Sequence, residues 1–87
     1  MYKIDPHELE KDLKLLDKRY SVKSTIKGET QEINIFFDNN SIKGAHCFVI
    51  TETPDESLEV KRMAGSNHTP KGDRKRLKKI VHYQGIL

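Results

Sequence analysis

The chain opens on a helical period and then changes to a period of two. Leu9, Leu13 and Leu16 recur at intervals of three and four residues, with Leu15 flanking them. Lys11, Lys14 and Lys18 mix with Glu10, Asp12 and Asp17 on the remaining positions. That spacing predicts an amphipathic helix over roughly residues 6–18. Its start is marked by Asp5 as N-cap, Pro6 at the first helical position and Glu8 three residues after the cap. Ile4 before the cap and Leu9 after it form the pair of a hydrophobic staple.

From Tyr20 the apolar positions alternate. Tyr20, Val22, Ser24 and Ile26 share one side against Ser21, Lys23 and Thr25. After a turn at Gly28, Ile33, Ile35 and Phe37 share a side against Glu32, Asn34 and Phe36, which predicts a hairpin with one buried face. Asp38, Asn39, Asn40 and Ser41 form a strong turn signal. The run from Ala45 to Thr53 is apolar on both sides, as a covered central strand would be: His46, Phe48 and Ile50 on one, Ala45, Cys47 and Val49 on the other. Leu58 to Met63 reads as a fourth strand, with Glu59 and Lys61 outward, and Ala64 to Thr69 as a loop. Thr69 or Asn67 would cap a last helix with Pro70 in its first turn, an inward stripe of Leu77, Ile80, Val81 and Gln84, and Gly85 as its stop. The order is α-β-β-β-β-α. Short turns pair each strand with its neighbour, so the expected fold is α+β, one two-layer domain over residues 1–87, with two helices on one face of an antiparallel sheet. The double-stranded-RNA-binding fold has this plan with one strand fewer.

Charge changes the picture at one place. Within Pro70 to Leu87, Lys71, Arg74, Lys75, Arg76, Lys78 and Lys79 are opposed by Asp73 alone, a formal charge of +5 in a chain whose net charge is +3. The rest of the molecule is therefore slightly acidic, and the basic character is local. A local basic face fits a polyanion, most often nucleic acid. The plainer reading is a solvated lysine-rich face, but such faces usually carry opposite charges at four-residue spacing. The alternative partner is a protein, an inhibited target for a small phage- or plasmid-encoded inhibitor. It would dock an acidic surface on the basic helix and an apolar anchor on Phe36, which falls on the outer side of its strand.

Four histidines and one cysteine complete the chemistry. His46 is a candidate general base for a 2′-hydroxyl of RNA, a reaction that needs no metal and leaves a cyclic phosphate. The plainer reading is a half-buried, hydrogen-bonded strand histidine beside Phe48. His68 lies just before the basic helix, where a phosphate would sit. His7 and His82 read as helix-surface residues. His46, Cys47, His68 and His82 lack the close ligand spacing of a zinc site, so no metal or other cofactor is expected. Cys47 reads as a small core residue, and no Gly-Lys-Ser/Thr loop is present to cradle a nucleotide. No apolar run approaches the roughly 20 residues of a membrane helix, and the first residues lack a signal-peptide apolar core. A cytoplasmic protein of bacterial or phage origin, with no membrane partner, is the expectation.

The stretch from Gly65-Ser66-Asn67-His68-Thr69-Pro70 through Lys71-Gly72 to Leu77 and Ile80, with the terminal Gly85-Ile86, resembles the closing segment of HicA-type toxins. These are small bacterial mRNA interferases with a double-stranded-RNA-binding-like fold. Gly44-Ala45-His46 is similar to the family's Gly-Ser-His signature, although it stands one strand later; at the family's place this chain has Lys27-Gly28-Glu29-Thr30. The resemblance implies RNA as the partner, an antitoxin as a second one, ribonuclease activity, and His46 as its base.

Overall fold

Asp5 starts α1 (Pro6–Leu16) as its sequence suggests. Its carboxylate accepts from the backbone N–H of His7 at 2.9 Å and of Glu8 at 3.4 Å, and Pro6 fills the first turn. Ile4 and Leu9, the staple pair, are both buried. The structure, a computed structural model, describes residues 4–39, 41–55 and 57–85, and the side chains of Arg74 and of residues 81–85 lie outside that description.

Four strands follow: β1 (Tyr20–Lys27), β2 (Thr30–Phe37), β3 (Ala45–Glu52) and β4 (Leu58–Arg62). They form one antiparallel sheet in the order β1-β2-β3-β4. A short 3₁₀ helix (Ala64–His68) stands where a loop was expected, and α2 (Asp73–Gly85) closes the chain. The turn after β2 is held by its Asn and Asp side chains: Asp38 Oδ1 accepts from Gly44 N at 2.6 Å and Asn39 Oδ1 from Ser41 N at 2.9 Å. Asn40 of that turn lies outside the described residues.

Both helices pack on one face. Leu9 and Leu13 of α1 and Leu77 of α2 join Ile33, Ile35, Phe37, Phe48 and Ile50 in a single core, with Leu16, Val22 and Ile80 at its margin. Ile4, Tyr20, Ala45 and Cys47 also belong to it. The inward sides of Val81 and Gln84 lie outside the described residues. Polar contacts tie α1 to β1: Glu10 Oε2 accepts from Val22 N and Lys14 Nζ donates to Tyr20 O, each at 2.8 Å.

Three further expectations are corrected. The inward side of β1 is buried at Tyr20 and half-buried at Val22, but Ser24 and Ile26 are exposed. An eleven-residue helix is about 16 Å long and does not reach the end of an eight-residue strand. The faces of β3 are not those of simple alternation. Ile35 pairs with Phe48 while Phe36 pairs with His46, so Cys47 is an extra residue in a β-bulge. The bulge leaves Phe48 and Ile50 on the core side and turns His46 to the other side, with Asn34, Phe36 and Val49. Finally, α2 begins at Asp73 rather than near Pro70. Gly72 has φ +88, a left-handed conformation that cannot continue a helix backwards, so Pro70, Lys71 and Gly72 form a turn ahead of it.

Candidate nucleic-acid interface

Asp73 fixes α2 in place. The residue is 5% exposed, and its carboxylate accepts the Tyr20 phenol hydrogen at 2.9 Å and lies 4.0 Å from Arg76 Nη1. The one acid of the basic segment is therefore spent on anchoring the helix to the first strand. Burial first, and then the Asp73 carboxylate, hold the Tyr20 phenol pKa well above its ordinary value. Arg19, beside Tyr20, chelates Asp17 through Nε at 3.0 Å and Nη2 at 2.8 Å while its guanidinium sits 4.7 Å from the Phe37 ring centre. The root of α2 thus adjoins a polar and aromatic cluster.

With Asp73 turned inward, the outer flank of α2 carries only cations among its described side chains. Lys71, Gly72, Lys75 and Lys78 line one cleft of about 490 Å³. At one end it meets a smaller polar hollow bounded by Ser66, Asn67, Thr69, Pro70, Lys71 and Gly72. At the other, Lys78 is shared with a hollow formed by Phe48, Val60, Arg62 and Leu77, against the edge strand β4. Lys75, Arg76, Lys78 and Lys79 are exposed, as is Lys71. Lys71, Lys75 and Lys78 are brought together, with no carboxylate among the described lining residues. Arg74 has its side chain outside the described residues. His68 ends the 3₁₀ helix, exposed, between residues that border the polar hollow, and its carbonyl accepts from Asn39 Nδ2 at 3.0 Å.

His46 is elsewhere. It is half-buried on the sheet face opposite the helices, stacked on Phe36 with ring centres 5.0 Å apart and an interplanar angle of 26°. It is not beside Phe48, because the bulge separates them. Its Nε2 lies 2.9 Å from Asn34 Oδ1. With the amide oxygen accepting, Nε2 carries the hydrogen and Nδ1 is the acceptor of the neutral ring.

Cys47 is fully buried, with Sγ 3.1 Å from Ala45 O and 3.5 Å from Gly65 O. Burial pushes its thiol pKa up to about 11, which removes nucleophilic character near neutral pH. Among the described residues no three His, Cys, Asp or Glu side chains come together as a metal site, and no helix is long and apolar enough to cross a membrane. The bond between Tyr20 and Asp73 was missed by sequence reading: the pair is separated by 53 positions. A lone acid in a basic segment was its only trace. Comparison with protein-family models, with curated proteins and with solved structures gave no match to this chain.

Proposed function

We propose that this chain is a small RNA-binding domain that grips the phosphate backbone along the flank of α2. One observation carries the reading: Lys71, Lys75 and Lys78 line a single cleft while Asp73, the only acid nearby in sequence, is buried against Tyr20. Clustered cations without counter-charges repel one another, and a row of phosphates relieves that repulsion. Lys79 and Arg76 extend the field around the helix, and Arg62 continues it onto β4. His68, exposed between Asn67 and Thr69 of the adjoining polar hollow, adds a phosphate contact on that side.

Cleavage would be an activity distinct from the phosphate grip. His46 lies on the opposite sheet face with Nε2 engaged, so it has no part in phosphate contact at the cleft and would act through Nδ1 on RNA reaching that face. Cleavage that disappears in His46→Ala, with binding retained, would extend the reading to a HicA-like ribonuclease. RNA left intact by the wild-type chain keeps it a binding domain.

The test of binding is a triple substitution, Lys71→Gln, Lys75→Gln and Lys78→Gln, against a control with Lys11→Gln and Lys18→Gln on α1. All five lysines are exposed, so folding is preserved. Fluorescence anisotropy with labelled RNA should show weaker binding for the cleft variant only. Equal affinities for the two variants would reject the cleft.

A further inference from the structure

The sheet face opposite the helices is neither apolar nor uniformly charged. In its first row Ser21, Phe36 and His46 lie side by side across β1, β2 and β3. In its second, Lys23, Asn34, Val49 and Lys61 run across all four strands. The carboxylates of this face, Glu32 and Glu59, fall in the next row with Thr25 and Thr51, and Glu32 is already 3.7 Å from Lys27 Nζ. One end of the face therefore joins an aromatic pair to two free-standing lysines, both exposed.

That aromatic pair is built. Without the bulge, strict alternation would send His46 into the core beside Phe48. The extra residue Cys47 re-aims it onto Phe36, and Asn34 fixes its ring through Nε2. Gly65 backs the same place from the other side: a Cβ there would come within 2.8 Å of the His46 backbone N and C, so only glycine allows the 3₁₀ helix to support the bulge. Two rings held at a set angle on an open sheet, flanked by cations, have the chemistry of a base-stacking platform.

We propose that this face binds the bases of single-stranded RNA, with Phe36 and His46 as the stacking surface and Lys23 and Lys61 on the adjoining phosphates. The inference rests on the reading of α2 as a phosphate grip and narrows it to single strands, since a duplex hides its base faces. The two surfaces are continuous around one edge. Strand β4 is at the margin of the sheet, with Arg62 in the hollow beside α2 and Lys61, its neighbour, on the open face. A flexible strand leaving the α2 cleft at Lys78 passes Arg62 and Lys61 to reach the rings.

The test uses Phe36→Trp as a reporter in a chain that has no other tryptophan. Twelve-nucleotide oligouridine should quench its emission, and heparin, a polyanion without bases, should not. Phe36→Leu should weaken oligouridine binding about 5- to 150-fold, the range of one stacked base, while the salt dependence stays as in the wild type. Lys23→Gln with Lys61→Gln, both at exposed positions, should weaken the same binding and reduce its salt dependence. Unquenched emission with saturating oligouridine, or unchanged affinity in Phe36→Leu, would overturn the proposal. Quenching by polyglutamate in place of RNA would assign the face to an acidic protein and equally overturn it. Failure of this proposal leaves the α2 substitutions still weakening RNA binding. Failure of the α2 reading leaves binding insensitive to them while the reporter is still quenched.

Discussion

Single residues here carry constraints that their chemistry alone does not announce. Gly65 is neither in a left-handed turn nor at a helix end; it is required because the backbone of His46 occupies the space of its side chain. Gly65→Ala should destabilise the chain by about 1–3 kcal/mol, the usual cost of overpacking, in urea unfolding followed by circular dichroism. A change below half of that lower figure would mean that the 3₁₀ helix moves away freely. Leu13 is the opposite case, fully legible in its period and wholly buried, and Leu13→Ala should cost about 2–5 kcal/mol in the same assay. Cys47 couples burial to pH. Its thiol pKa rises from 9.0 to about 11 on folding, so the folded state holds the proton more tightly. The thiol's contribution to stability is then fully present below pH 9 and is lost as pH rises towards 11. Cys47→Ala should flatten that part of the pH–stability profile, read as the urea midpoint at pH 8, 9.5 and 10.5. An unchanged slope would place the alkaline loss on other groups, of which Tyr20, with its raised pKa, is the next.

Elements that announce themselves locally were legible: α1 carries a cap, a staple and a clean period, and β2 alternates without a break. What escaped reading was set by partners distant in sequence. The bulge in β3 is invisible because Ala45 to Ile50 reads equally well with or without an extra residue; the register comes from Phe37 and Ile35 on β2. The start of α2 escaped for a similar reason. Pro70 is a good first-turn residue, but Tyr20 captures Asp73, and the left-handed Gly72 makes the chain enter the helix there. That capture gives a prediction for the element as a whole. Asp73→Ala leaves the buried Tyr20 hydroxyl without its acceptor and should cost about 1–3 kcal/mol. Hydrogen exchange should accelerate in α2 more than in β2. Uniform acceleration would mean that α2 does not open independently, and an unchanged pattern would mean that Tyr20 does not anchor it.

Across the whole molecule, the fold gathers a cluster of cations on one flank of α2 while the other surfaces mix both signs. The two helices bury the apolar face of the sheet, β1 runs past their cover, and the basic flank of α2 ends up beside the edge strand β4. Charge was readable as a total and as a run in the sequence. Which lysines share a cleft depends on the turn at Gly72 and on where Asp73 points, so the cleft is visible only in the fold. The same clustering sets a quantitative expectation for RNA binding. If Lys71, Lys75 and Lys78 each neutralise one phosphate, replacing all three by Gln should reduce the slope of log affinity against log salt by about 0.7 for each contact on a single strand. The loss should grow as salt falls, because the missing contacts are electrostatic, and thermal stability should be unchanged because all three side chains are exposed. A parallel drop in affinity at every salt concentration, with the slope intact, would mean that these lysines shape the surface without touching phosphate. The grip would then have to be sought on Arg62 and the open face of the sheet.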